Sequence, residues 1–554
     1  MLSGIFKKNF FPLTVFIYLI YSAVTIYTTS FVFRGTRYFI LSDDAMISMR
    51  YGYNFAHGFG MVWNPGEYVE GFTNPLWTFF MALIHFLPVP LTKLSLIVQI
   101  TEALCVIASL YFVKKIAAIV SNSSFTVMFF SVLFTAFYFP LVNWTLVQGM
   151  EVGILTLFLS SSVFFALESI RRKKFSFILF IILGLGTLTR IDFFVSAMVI
   201  SLFLIIYDKK NRKKYFLFGI PVVLSFVLAQ TLFRIWYYHD ILPNTYYVKL
   251  TGYPILNRIT RGIYVGLRSF FPNIAAMYQS RVLQFSARLI IAGMILFPFT
   301  YAYLKRNKSM FLLLALFTTQ LLYSAYVGGD VWEYYGGANR FIAYAIPLFF
   351  VSLIFTTHSI LIKYFKTSKT YLQKVYQIIE VAIICIFFIL LNRANAEQLP
   401  RLFFTMPPTT LDVNMTRLEL ADRLNRITKP HTKIAISAAG LIPYFNPDRY
   451  FVDILGKTEK TIAREPAVGN EKFKNQLDKY ISFQPGHMKW DYPYLVKKYK
   501  PDIFGDFYQR SDQKNDKYLL THGYARMKTP DSFGFMFFIL KTSPNINTSG
   551  LKAY

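Results

Sequence analysis

The first place in this chain where acids gather at a spacing that could do chemistry is Ser42-Asp43-Asp44-Ala45-Met46-Ile47-Ser48-Met49-Arg50. Ser42 is a good helix N-cap, and two acids in a first turn suit the positive end of the helix dipole. That by itself is a structural explanation for the pair. Its position adds a chemical one, because the pair follows the first long apolar run, at the border between membrane and water. A carboxylate kept ionised there by a helix N-terminus can take the proton of a hydroxyl as a bond to a phosphate leaving group breaks. The loop continues through Trp63-Asn64-Pro65-Gly66-Glu67-Tyr68-Val69-Glu70-Gly71-Phe72-Thr73-Asn74. Aromatic faces stack on sugar rings while amides and acids bond hydroxyls, so Trp63, Glu70 and Asn74 are candidates for substrate contact. An interfacial aromatic belt would have the same composition.

Three further stretches carry chemistry-bearing side chains. Thr189-Arg190-Ile191-Asp192 lies between two apolar runs with almost no loop, where charged groups face a cavity or each other. It reads equally as a structural Arg190–Asp192 pair or as a phosphate-facing arginine positioned by its neighbour. Residues 237–286 carry Lys249, Arg258, Arg261, Arg268 and Arg281 with no acid after Asp240, a charge pattern suited to an anionic lipid phosphate or to a surface-lying amphipathic helix. His239, Asp240 and Asn244 precede them in a polar-aromatic segment that suits a site wall. His239 has no second histidine at metal-ligand spacing. The last stretch runs Gly328-Gly329-Asp330 through Gly336, Gly337, Asn339 and Arg340. Paired glycines let backbone approach a ligand closely, and Asp330 and Arg340 flank them, as they would also flank a turn closed by an ion pair. No phosphate-loop, dinucleotide or serine-nucleophile pattern occurs. The acids leave a divalent cation such as Mg²⁺ open as a cofactor, without a compact set of oxygen ligands in the sequence.

These residues must be positioned by a membrane protein. Of 554 residues 55% are hydrophobic and only 16% charged, with 59 Phe and 38 Tyr. That excludes disorder and an ordinary soluble enzyme. Cys105 and Cys385, the only two cysteines, lie in apolar runs and make no disulfide framework. The net charge of +29 resides largely in short clusters between apolar runs, which points to a lipid bilayer and not to nucleic acid as the partner. The runs, beginning with Phe10–Phe33, give about eleven expected spans. Pro75–Leu87 is too short and too proline-flanked to count. Placing the basic clusters on the cytoplasmic side puts 34–75, 142–151, 190–192, 237–286, 327–340 and everything after 393 on the other. The expected division is a transmembrane domain over 1–392, with 34–75 as its first outer loop, and a small extracytoplasmic α/β domain over 393–554. In the latter, short alternating runs at His431–Ser437, Arg449–Leu455, Pro501–Phe507 and Gly534–Leu540 predict strands, and Tyr492–Tyr499 an amphipathic helix. No internal repeat of the kind transporters carry is evident, and the polar residues gather toward one face. A lipid-linked sugar transporter or flippase is therefore the alternative to an enzyme, not the first reading.

The string DDAMISMRYGYNFAHGFGMVWNPGEYVEGFTNPLW resembles the first periplasmic loop of the mycobacterial terminal arabinofuranosyltransferase family, within the GT-C class of polytopic glycosyltransferases. The likeness continues through QGMEVGILTL, LTRID, YYHDILPNTYYVKL, GGDVWEYYGGANRFIAYAIP, ISAAGLIPYFNPDRYFVDILGKTEKTIAR and GHMKWDYPYL. The resemblance implies a GT-C fold in a bacterial plasma membrane and a polyprenyl-phosphate sugar donor, with a pentofuranose such as arabinofuranose moved to a cell-envelope glycan or glycolipid on the periplasmic face. The class's catalytic acid of the first outer loop maps onto Asp43 or Asp44. The donor phosphate then falls to Arg190, Lys249, Arg258 or Arg340. The wider set of expected substrate contacts is Trp63, Glu70, Asn74, Asp192, His239, Asp240, Asn244, Asp330 and His487. The outer domain would help bind the acceptor, with Asp453 and His487 facing the site.

Overall fold

The computed structural model describes residues 4–270, 281–331, 333, 338–365, 370–393, 397–408, 410–468, 483–507 and 513–554. Gly336 and Gly337, singled out from the sequence, lie outside the described residues. Among those described, eight helices are long and apolar enough to cross a bilayer: Phe6–Thr29, Leu91–Ser121, Val152–Arg172, Arg212–Tyr238, Arg288–Lys305, Lys308–Val327, Ile346–Lys363 and Leu372–Asn392. A ninth is counted if Phe125–Phe137 and Phe139–Val147, bent by 47°, cross as one. The bend falls where Tyr138 turns extended just before Pro140. The protein is thus multi-pass, with fewer full-length spans than the eleven expected. The two missing ones are Phe177–Thr189 and Phe193–Tyr207, of 13 and 15 residues. A helix needs about 17 or more residues to cross alone, and here the run is interrupted because Arg190 leaves helical geometry at φ −152° to form buried ion pairs. Pro75–Ile84 is a helix of only 10 residues, as its proline-flanked run predicted.

Contacts divide the chain into two compact units that are discontinuous in sequence. The first comprises Met1–Thr28, Gln99–Ala229 and Arg258–Thr409. Much of its core is aromatic. Phe10, Tyr18, Val106, Leu110, Val132 and Leu146 pack as one cluster, with Phe10 meeting Phe125 edge-on at 5.4 Å. Apolar side chains all round these helices are what burial between other helices requires.

The second unit comprises Thr29–Val98, Gln230–Asn257 and Thr410–Tyr554. It opens with a hairpin, β1 (Phe31–Phe33) and β2 (Thr36–Tyr38), followed by the acid-bearing helix Asp43–Ala56. A six-stranded sheet occupies its C-terminal part. The strands are β3 (Lys433–Ile436), β4 (Tyr450–Asp453), β5 (Ile503–Phe504), β6 (Tyr524–Lys528), β7 (Met536–Leu540) and β8 (Lys552–Ala553), in spatial order β4-β3-β5-β7-β6-β8. β3 pairs in parallel with both β4 and β5, and the remaining pairs are antiparallel. The four predicted runs became β3, β4, β5 and β7, and Tyr492–Tyr499 the expected helix. β6 and β8 escaped prediction because Tyr524–Lys528, YARMK, does not alternate strictly between apolar and polar residues, and Lys552–Ala553 is only two residues long. Val452, Ile454, Leu495, Phe504, Leu519 and Phe538 form the core of this part.

Candidate active site

Helix Asp43–Ala56 starts as its sequence dictates. Ser42 is extended at φ −62°, ψ 155°, and its Oγ accepts from the Ala45 N–H at 3.4 Å. The two acids that follow meet different fates. The Asp43 carboxylate, 4% exposed, accepts from the backbone N–H groups of Gly440 at 3.3 Å and Leu441 at 3.0 Å, with Arg417 at 3.8 Å. A Cβ on residue 440 would lie 1.8 Å from the Asp43 carbonyl oxygen, so only glycine permits this approach. Asp44, at 16% exposure, receives the ammonium of Lys457 on Oδ1 at 3.1 Å. Lys457 is buried, and burial works against its charge, yet the carboxylates of Asp44, Asp43 and Asp453 together hold its pKa above the ordinary lysine value.

Lys457 sits in the turn after β4, and that turn is gripped from several directions. Asp453 caps it, accepting from the N–H of Leu455 at 2.9 Å and of Thr458 at 2.8 Å. Asn244 donates its amide to the carbonyls of Gly456, Lys457 and Glu459 at 2.8, 3.0 and 3.3 Å. Gly71 of the first loop lies so close that a Cβ there would reach the Lys457 carbonyl oxygen at 3.1 Å and Thr458 Cγ2 at 2.6 Å. His487 completes the neighbourhood. Desolvation and the nearby charge of Lys457 push its imidazole down to about 3, so it is neutral at neutral pH, and Asp44 and Lys249 act on it as well. Lys249 lines the same corner, its Cγ 3.3 Å from where a Cβ on Gly486 would stand.

Several residues expected to touch substrate instead hold this frame together. Trp63 is buried and donates its indole N–H to the Ala439 carbonyl at 3.0 Å. Glu70 is buried in an ion pair with Arg234. Asn74 accepts from Ser48 and Thr78, both at 3.0 Å, and so ties the short helix Pro75–Ile84 to the acid helix. Asp240 pairs with Arg464 and accepts from Tyr247 at 2.8 Å, bonds that lower its pKa against the opposing pull of burial. His239, exposed with a left-handed φ of 56°, takes no part in this cluster. Sequence reading missed Lys457, Arg417, Gly440 and Arg50. Arg50 is fully buried, donating to the carbonyls of Trp63 at 2.7 Å, Pro443 and Arg449 at 3.4 Å. Little that is local marks these residues, because each has a partner some 370–410 positions away.

In the other unit the expected phosphate cations separate into two kinds. Arg190 is neutralised twice, by Asp192 at 2.9 Å and by Glu151 at 2.8 Å, an acid that no local motif joins to it. Arg340 is likewise paired with Asp330, and its guanidinium lies 5.3 Å from the Trp144 ring centre. Arg258 differs. It is buried against the Tyr326 ring at 5.1 Å, and its Nε and Nη1 have no hydrogen-bond acceptor among the described residues. Among the described residues no three His, Cys, Asp or Glu side chains converge as metal ligands, and Asp43 and Asp44 instead face N–H and ammonium donors. Among the described residues the side chains assemble no Mg²⁺ site.

A family model of a domain of unknown function, DUF8728, matches residues 410–536. A search of curated proteins finds no match. Among solved structures, the Archaeoglobus fulgidus oligosaccharyltransferase tethered with an acceptor peptide containing the NVT sequon is 13% identical, with a TM-score of 0.52 over 97% of this chain and 75% of that one. The same organism's AglB in complex with an inhibitory peptide and a dolichol-phosphate is 12% identical, with a TM-score of 0.50 over 98% and 75%. ArnT from Cupriavidus metallidurans in the apo state is 10% identical, with a TM-score of 0.52 over 96% and 98%. The chain therefore has the mostly helical, polytopic GT-C fold with a small C-terminal sheet domain.

Proposed function

We propose that this protein is a membrane glycosyltransferase that moves a sugar from a polyprenyl-phosphate donor to a cell-envelope glycan or glycolipid on the periplasmic face of a bacterial plasma membrane. A pentofuranose such as arabinofuranose is the first donor sugar to test. The observation that carries the reading is the carboxylate pair at the start of helix Asp43–Ala56, one member anchored by backbone N–H groups and the other salt-bridged to a buried lysine. The shared fold supports it, as does the dolichol-phosphate bound in one of the archaeal structures.

The chemistry needs a base and a way to neutralise a departing phosphate. The acceptor hydroxyl gives its proton to Asp43 or Asp44 as its oxygen bonds to the anomeric carbon. The bond from that carbon to the phosphate oxygen breaks, and the prenyl phosphate leaves with the electron pair. Fixed cations favour the more negative leaving group and so stabilise the transition state more than the ground state. Of the expected four, Arg190 and Arg340 already have acids of their own, the Arg258 Nε and Nη1 have no acceptor among the described residues, and Lys249 lies near His487.

Purified protein is incubated with a synthetic polyprenyl-phosphoryl pentofuranose and an envelope-glycan acceptor, and released polyprenyl phosphate is measured. Activity should fall at least about a hundredfold when the base is removed, the lower range for loss of general-base catalysis. Full activity in both Asp43→Asn and Asp44→Asn removes the proposed base. Transbilayer movement of the lipid in proteoliposomes without sugar transfer would favour a flippase.

A further inference from the structure

The C-terminal part of the second unit, most of it matched by the family model of a domain of unknown function, does more at the carboxylate pair than cover it. We infer that Asp44 is the reacting carboxylate, that Asp43 is its anchor, and that Lys457 of the C-terminal domain is the positioning residue that keeps Asp44 ionised and aimed. The inference rests on the glycosyltransfer reading above and divides labour within the same cluster.

Three observations distinguish the two acids. Asp43 is 4% exposed and its Oδ1 is committed to two backbone N–H groups of the segment at Gly440, whose approach is too close for any side chain. A carboxylate held this way is a fastener between two segments of the chain. Asp44 retains 16% exposure and pairs with the ammonium of Lys457. The backbone around Lys457 is fixed by Asp453, by Asn244 and by the close approach of Gly71, with contributions from three separate segments of the chain. A lysine needed only for solubility or packing has no use for a turn so restrained. Placed against Asp44, its ammonium favours the ionised base, and it stays charged because the surrounding acids outweigh burial.

The charged and titratable groups facing this pair are Asp43 on the same helix, Arg417 against Asp43, Asp453 at the foot of the turn, and His487 and Lys249 beside Lys457. His487 is neutral at neutral pH, so it supplies no titration between about pH 4 and 8. The acid limb of the pH–rate profile then falls to a carboxylate: Asp453, though burial raises its pKa, is committed to the N–H groups of Leu455 and Thr458, which leaves Asp44.

The test uses full-length protein and two readouts. In the first, kcat/KM is followed against pH. Lys457→Met should move the acid limb upward by about one unit or more, a tenfold change in the ionised fraction, whereas Lys457→Arg should leave the limb in place. Asp43→Asn should lower thermal stability with the limb unmoved. In the second, acetylation of the Lys457 amine by acetic anhydride is followed by mass spectrometry, with no turnover required. Asp44→Asn should raise its rate about tenfold or more by lowering the lysine pKa. A loss of activity at every pH with an unmoved limb in Lys457→Met, or acetylation indifferent to Asp44→Asn, overturns the inference alone. Acetylation that responds in a protein that transfers no sugar from any prenyl-phosphate donor overturns the glycosyltransfer reading and leaves the Asp44–Lys457 pairing standing.

Discussion

At the scale of single residues, the consequence of the structure is that adjacent identical side chains have different work. Asp43 and Asp44 share a helix turn, and 3.6 residues per turn send them about 100° apart. One therefore points at the backbone of residues 440–441 and the other at Lys457. Gly440→Ala is the sharpest probe of this arrangement, since its Cβ would overlap the Asp43 carbonyl oxygen and force the two segments apart. It should destabilise the protein by roughly 1–3 kcal/mol, the usual cost of overpacking, and should abolish transfer. Thermal unfolding in detergent and the transfer assay check it together. A variant with unchanged melting would mean that the approach is looser than described.

At the scale of elements, helix Ile255–Phe270 shows how a membrane reverses the usual rule. Its apolar stripe of Ile255, Leu256, Ile263 and Leu267 is exposed, while Arg258 and Arg261 on the opposite side are buried. In water this would be inside out; beside lipid, the apolar face is the one solvated by acyl chains. Arg261 forms an ion pair with Glu333 at 3.1 Å, whereas Arg258 has no ion-pair partner among the described residues. Replacing an unpaired buried cation by an apolar side chain removes a desolvation cost. Arg258→Met should therefore melt no lower than the parent protein in lipid-free detergent, yet bind a prenyl phosphate about tenfold or more weakly, one charge-assisted hydrogen bond's worth. Opposite signs in stability and affinity mark a ligand-binding arginine, and a fall in both would mark a structural one. The Glu70–Arg234 pair should behave in the contrary way. Both side chains are 4% exposed, so Glu70→Ala strands a buried guanidinium and should cost about 3–5 kcal/mol by denaturant melts.

For the molecule as a whole, the second unit is assembled from three distant stretches of chain, and its stability should depend on pH through His487. Burial and Lys457 lower the folded-state pKa from the ordinary 6.5 to about 3. The unfolded chain binds the proton more readily, so stability is full above pH 6.5 and is lost as pH falls toward 3. The slope is about 1.4 kcal/mol per pH unit in that window for a single histidine. His487→Gln should flatten the dependence of melting temperature on pH between 6.5 and 4. An unchanged slope would place the sensitivity elsewhere.

The sequence by itself determined the class of protein and much of the list of parts. Apolar run length and basic clusters mark a polytopic chain because a bilayer sets a minimum span, and four sheet strands and the acid helix follow from periodicity and a serine N-cap, all of them local signals. Asp43, Asp44, Lys249 and His487, chosen from the sequence, do lie in one neighbourhood of the second unit. Tertiary structure alone decided which of the chosen residues are fasteners. Trp63, Asn244 and Asp453 bond to backbone that arrives from far along the chain. It also decided that Arg190 is already neutralised, by Glu151 39 positions earlier, and that Lys457 meets Asp44 across 413 positions. A side chain's chemistry is fixed by its covalent structure, but its availability depends on whether the fold has already supplied it with a partner. Residues that distant become neighbours only when the chain closes.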